Sequence, residues 1–222
     1  NQILKGIVKE IKNAGGEPFV FPAMGSHGGA NAEGQIGLLN EYGITETFVG
    51  CPIKASMEVV NIGNSKFGEP IYIDKHASEA DKIVILNRIK AHSKFVGDVE
   101  SGLTKMCIIG MGKHKGAKIH HKIIEKNKWV NVFPHIRKKI FDALPIICGV
   151  GVILNKTGEL AEIHAVHPDK IPEIEPKLLK KSGKMSVKLP FPEVDLLIVD
   201  EMGKNIFGTG MDTNITGRKS NS

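Results

Sequence analysis

The chain has 222 residues, 41% of them apolar and 24% charged, the proportions of an ordinary globular protein, and a formal charge of +6. No apolar run approaches the ~20 residues that span a bilayer, so a membrane partner is not expected. Aromatics make up 5%, too few for the stacking platforms of single-strand binders, and the basic clusters at 137–139 and 180–184 fall in polar helical patterns, so nucleic acid is not expected either.

Residues 3–14 (ILKGIVKEIKNA) carry apolar positions at helical spacing, and Gly15-Gly16 supplies a stop. Residues 18–22 (PFVFP) form a short apolar run that reads as a buried strand. The turn Gly25-Ser26-His27-Gly28-Gly29 then leads into a helix over 31–42. Strands are predicted at 57–62, 70–74 and 82–87, the last nearly all apolar, as a parallel strand covered on both faces should be. A glycine-bearing stretch at 97–103 precedes the apolar run 106–109. Helical patterns resume over 119–142, strands are predicted at 146–154 and 160–166, and a helix at 171–185. Residues 188–192 hold two prolines and read as a linker, after which 194–200 (VDLLIVD) reads as a strand. Alternating strands and helices predict an α/β fold with a largely parallel sheet layered with helices, plus the start of a second α/β domain. The first domain is expected over 1–188, with its N-terminal part missing. The linker and first strand and loop of the incomplete second domain are expected over 189–222.

The cysteines Cys51, Cys107 and Cys148 are scattered and form no C-x-x-C pair, which argues against a disulfide framework or thiolate zinc site and fits a reducing cytoplasm. Ligands of open α/β sheets bind outside the carboxyl ends of the strands. His27 follows the run 18–22 and His92 follows 82–87, so parallel strands of one sheet would bring both imidazoles to one edge. Imidazole titrates near pH ~6.5 and suits an acid/base pair; the plain alternative is two surface or loop-capping histidines. Gly28 and Gly29 permit positive φ and close approach of a ligand. Lys105, in Ser101-Gly102-Leu103-Thr104-Lys105, can meet a phosphate, act as a base, be covalently modified, or simply face solvent.

His114, His120 and His121 lie in GKHKGAKIHHKI. Adjacent histidines diverge on a helix, so His120 and His121 cannot both reach one ion, and a single histidine completing a cofactor-held metal is easier to accommodate. Gly110-Met111-Gly112-Lys113 lacks P-loop spacing, Gly208-Thr209-Gly210 lacks the third glycine of a dinucleotide fingerprint, and no G-x-S-x-G elbow occurs. Asp212 and Asn214 are either polar site residues or parts of a turn.

The segments PAMGSHGGANAEGQ (22–35), RIKAHSKFVGDVESGLTKM (88–106), IIGMGKHKGA (108–117) and VDEMGKNIFGTGMDTNITGR (199–218) resemble the nickel-dependent lactate racemase family and its uncharacterised relatives. The resemblance implies an isomerase, a racemase or epimerase of a lactate-like 2-hydroxy acid, whose first domain is catalytic. It implies a nickel-pincer nucleotide as cofactor, joined to a lysine, with nickel completed by a histidine and the cofactor supplied by its synthesis enzymes. Carried over residue by residue, His27 and His92 fall on the acid/base pair that flanks the substrate. Lys105 falls on the cofactor lysine, with Gly28, Gly29 and Gly102 beside the cofactor. His121 falls on the nickel ligand, with His120 one residue away. Hydride transfer from the hydroxyl-bearing carbon to the cofactor, and back on the other face, would invert the centre. Better-known members carry Gly-Gly-Arg-Lys where this chain has Gly-Leu-Thr-Lys. An arginine expected to bind the substrate carboxylate would precede residue 1. Two competing classes are an α/β nucleotide- or zinc-binding domain without racemase activity and a basic adaptor for RNA.

Overall fold

A computed structural model describes residues 1–93, 96–203 and 210–217. In chain order come α1 (Gln2–Asn13), α2 (Ala32–Glu41), the single turn α3 (Glu46–Val49), β1 (Val59–Asn64), β2 (Pro70–Asp74), the single turn α4 (Lys75–Ser78) and β3 (Ile83–Arg88). The turn α5 (Leu103–Lys105) runs into a π-helical turn, Met106–Gly110, and then α6 (Lys113–Asn127) and α7 (Trp129–Ala143). β4 (Ile146–Leu154), β5 (Leu160–Val166), α8 (Ile171–Met185) and the short α9 (Thr213–Thr216) complete the order.

The α/β class holds, but the sheet is mixed rather than largely parallel. β3 pairs with β4 in parallel, β4 pairs with β5 antiparallel, and β1 and β2 form a separate antiparallel hairpin. The run 18–22 is not a strand of this sheet. Only Val20 forms a bridge, to Ile53. Prolines at 18 and 22 remove the donors a ladder would need on either side. The expected strand at 194–200 is likewise absent, its apolar side chains exposed and no described strand pairing with it. The helical pattern expected over 119–142 starts earlier, at Lys113, and is broken into two helices at Lys128, whose φ is +64°.

β4 explains how helices reach the sheet. Its sequence alternates glycine with valine, and a side chain at Gly149 would meet Leu103 Cδ1 at 2.8 Å and Ile171 Cδ1 at 2.9 Å. One at Gly151 would meet Ile89 Cδ1 at 2.6 Å. The bare backbone thus lets α5 and α8 press onto the strand, and Leu103, Ile171 and Leu178 are buried there. A single core runs from β2 and β3 through the π-turn to α6, α7 and α8, and a smaller apolar cluster of Val8, Val49 and Cys51 sits under α1. Among the described residues no helix is long and apolar enough to cross a membrane.

Candidate functional site

The stretch 100–113 is the hub to which the singled-out residues attach. Leu103–Lys105 begins a helix because Glu175 of α8 reaches across to cap it. Its carboxylate accepts from the Thr104 amide at 3.2 Å and from the Thr104 hydroxyl at 2.5 Å. The carboxylate lies so close to Gly102 that a side chain there would strike it. Asn87 at the end of β3 donates to the Gly102 carbonyl at 2.8 Å. Burial pushes the Glu175 carboxyl above its usual range, against the Thr104 bonds that pull it down. The π-turn follows at once, a geometry common at functional sites.

Lys105 is half-buried at this helix start. Its Nζ lies 3.4 Å from the Ser101 hydroxyl. Burial, and secondarily the charge of Lys90, lower its pKa from 10.5 to about 8. Lys90 is held opposite Ser101 by a pair of backbone hydrogen bonds at 2.9 and 3.1 Å. Its own pKa is lowered by burial and then by Arg88, while Asp212 opposes the fall. Arg88, Lys90 and Lys105 therefore group their positive charge at the carboxyl end of β3, each partly desolvated. The segment bearing Asp212 returns to this region, with the Thr213 hydroxyl donating to the Ser93 carbonyl at 2.7 Å.

His92 lies in the same loop system. Its amide donates to Glu100 Oε2 at 2.6 Å, and its ring stands 6.1 Å from Trp129. Trp129 Nε1 donates to the Val99 carbonyl at 2.6 Å, so α7 pins the other side of the loop.

His27 reaches the hub by another route. The shared sheet edge expected for the two histidines does not form, because residues 18–22 pair with 52–54 instead. The turn around His27 docks directly on the end of the π-turn: the Gly25 amide donates to the Gly110 carbonyl at 3.1 Å. Gly110 has no room for a side chain beneath Ala23. His27 itself is exposed. Its Nδ1 lies 2.7 Å from the Met24 carbonyl, which makes Nδ1 the protonated nitrogen of the neutral ring and leaves a lone pair on Nε2. Gly28 and Gly29 adopt φ of +63° and +66° as expected. The close approach at Gly28 is to the backbone of Gly34 and Gln35 in α2, so this glycine serves packing of the chain on itself.

His120 and His121 diverge on α6. His120 is fully buried, its Nδ1 2.8 Å from the Ile108 carbonyl and its Nε2 without a partner. Burial lowers its pKa, so it is a neutral imidazole with an Nε2 lone pair aimed into the interior. His121 is half-buried and His114 exposed. No three His, Cys, Asp or Glu side chains among the described residues group to hold a metal. Asp212 caps α9 and bonds the Asn214 amide at 2.9 Å, a turn role; Gly208 and Thr209 lie outside the described residues. Sequence reasoning missed Gln35, Asp74, Glu100, Lys113 and Glu175, all buried polar residues. A polar side chain carries no mark of burial in a single sequence.

These features define a mixed α/β domain with a desolvated lysine at the start of a helix and histidine-bearing loops fastened around it. The chain belongs to the family of the lactate racemase N-terminal domain, whose model matches residues 1–131. In fold it is similar to the lactate racemase apoprotein from Thermoanaerobacterium thermosaccharolyticum, at 16% identity and a TM-score of 0.52. That similarity covers 64% of this chain and 37% of the other, so the chain matches well under half the length of that racemase. No curated protein matches the sequence.

Proposed function

We propose that this chain forms the catalytic part of an isomerase that inverts the hydroxyl-bearing carbon of a 2-hydroxy acid. The observation that carries this reading is the desolvated Lys105 amine, with pKa about 8, in a segment to which both the His27 turn and the His92 loop are fastened. A lysine that sheds its proton near neutral pH is a competent nucleophile for covalent attachment to an acyl-type group.

Lys105 would anchor a nickel-pincer nucleotide, and a histidine of α6 would complete the metal. The family resemblance points to His121 as that ligand, while the unpartnered Nε2 of buried His120 favours His120. The unpartnered, buried Nε2 of His120 is a single donor that suits a metal gripped mainly by its own cofactor. When bound, the nucleotide would supply the redox chemistry of the inversion. His27, through Nε2, would exchange the hydroxyl proton of one enantiomer and His92 that of the other. Arg88 and Lys90 add positive charge that suits an anionic ligand. Residues 1–188 would be the catalytic and cofactor-binding domain, and 189–222 the linker and beginning of a second α/β domain. Three free thiols suit a reducing cytoplasm, where the cofactor-synthesis enzymes would be partners.

The test is intact mass and nickel content of the full-length protein produced alongside those enzymes. A nucleotide-sized adduct mapped to Lys105, about one nickel per chain and inversion of a 2-hydroxy acid support the proposal. An unmodified, nickel-free protein from a host that loads a known racemase refutes it.

A further inference from the structure

Beneath the His27 turn lies a buried polar network that the proposed reaction leaves unused. Lys113, at the start of α6, is 0% exposed and adopts φ +52°, left-handed backbone that costs a lysine energy. Its Nζ donates to the Pro22 carbonyl at 2.6 Å and to Gln35 Oε1 at 3.1 Å, and it pairs with Asp74 Oδ2 at 3.1 Å. Asp74 is itself fully buried and caps α4 through the Ala77 amide at 3.2 Å. A buried ammonium is retained only where oxygens surround it in this way.

Gln35 is also fully buried, and Lys113 decides which way its amide faces. An ammonium only donates, so the amide oxygen must turn to it and the NH2 must point the other way. There Nε2 donates to the Gly25 carbonyl at 3.1 Å and to the His27 carbonyl at 3.3 Å. The amide thus spans the turn from its first glycine to the histidine. Within the turn the His27 amide and Nδ1 both converge on the Met24 carbonyl, at 3.1 and 2.7 Å. The ring's tautomer therefore depends on the turn staying closed.

We infer that Gln35, oriented by the buried Lys113–Asp74 pair, is a positioning residue. It holds the His27 turn closed and so keeps the imidazole protonated on Nδ1, with the Nε2 lone pair available to accept a proton. The proton-accepting role itself rests on the function proposed above; the positioning does not.

Gln35→Glu keeps an oxygen facing Lys113 and removes both donors to the turn. In full-length protein with 15N-labelled histidine, the His27 ring nitrogens of this variant should move from the Nδ1–H pattern toward the Nε2–H pattern. Amide exchange over 25–30 should quicken about tenfold, the scale of one or two lost hydrogen bonds, while exchange in β3 and β4 stays unchanged. In cofactor-loaded protein kcat should fall by a similar factor at constant KM. Gln35→Asn, which keeps the amide but shortens its reach, should give the same tautomer change and serves if the glutamate variant does not fold. A wild-type tautomer pattern and wild-type exchange in the folded variant overturn the inference. Tautomer and exchange are read without substrate, so a protein that inverts no 2-hydroxy acid would sink the proposed reaction and leave the positioning role of Gln35 intact.

Discussion

Replacing Lys105 by methionine should stabilise the unmodified protein at neutral pH and abolish one component of its pH dependence. The amine titrates at about 8 in the fold against 10.5 ordinarily, chiefly because burial penalises its charge. Below about pH 8 both folded and unfolded chains carry the proton, and the folded state bears the full penalty. At about 1.36 kcal/mol per pH unit that penalty is about 3 kcal/mol. Between about 8 and 10.5 the unfolded chain holds more protons than the folded one, so stability rises with pH. Above 10.5 the penalty is gone. Methionine has a similar shape and no charge, so it should recover about 1–3 kcal/mol at pH 7, local relaxation accounting for the shortfall.

Urea unfolding of wild type and Lys105→Met at pH 7 and pH 10 measures both parts. The variant should be the more stable at pH 7, and the gap should shrink markedly by pH 10. A gap that stays constant with pH, or a variant less stable at both values, would show that Lys105 is not desolvated and would remove the reason for treating it as reactive. The same amine should react with a water-soluble acylating reagent along a curve centred near pH 8.

His27→Asn and His92→Asn should each reduce inversion of the substrate by at least about 100-fold, the usual scale of acid/base catalysis, with nickel content by plasma mass spectrometry unchanged. His120→Ala should lose nickel while His121→Ala retains it, if the unpartnered Nε2 marks the ligand; the opposite result would return that role to His121. Gly149→Ala should cost about 1–3 kcal/mol by overpacking, because its methyl group must displace Leu103 and Ile171. Thermal unfolding would register that loss, and an unchanged midpoint would mean that β4 does not need its bare backbone.

Periodicity made much of the fold legible. β2, β4, β5 and α8 fall at the boundaries their patterns predict, and β3 is displaced by one residue. Each carries its own signal, a dense apolar run or a helical repeat. The failures share a cause: strand formation depends on a partner that local sequence does not name. Residues 18–22 and 194–200 are as apolar as many strands, yet the first is confined to one bridge by its prolines and the second finds no neighbour among the described residues. The turns of the candidate site were legible where glycine marks them, around His27 and at Gly102. The buried polar groups were illegible, since nothing in the string IYIDK announces that Asp74 is buried against a lysine 39 positions away in the chain.

His27 and His120 share one device, and their surroundings separate what it can do. In both, Nδ1–H donates to a backbone carbonyl, which fixes the lone pair on Nε2. At His27 the ring is exposed and open to molecules arriving from solvent. At His120 the ring is fully buried and its pKa is lowered, so protonation is disfavoured and the Nε2 lone pair stays without a partner in the interior. The carbonyls that impose these tautomers come from Met24 and Ile108, and the segments bearing them are tied together by the Gly25–Gly110 hydrogen bond. A change that shifts the π-turn should therefore disturb both histidines at once, whereas a change in α2 should reach His27 alone. That asymmetry can be read from the ring tautomers of the two residues in Gly110→Ala and Gln35→Glu. Equal effects of both variants on His120 would contradict it.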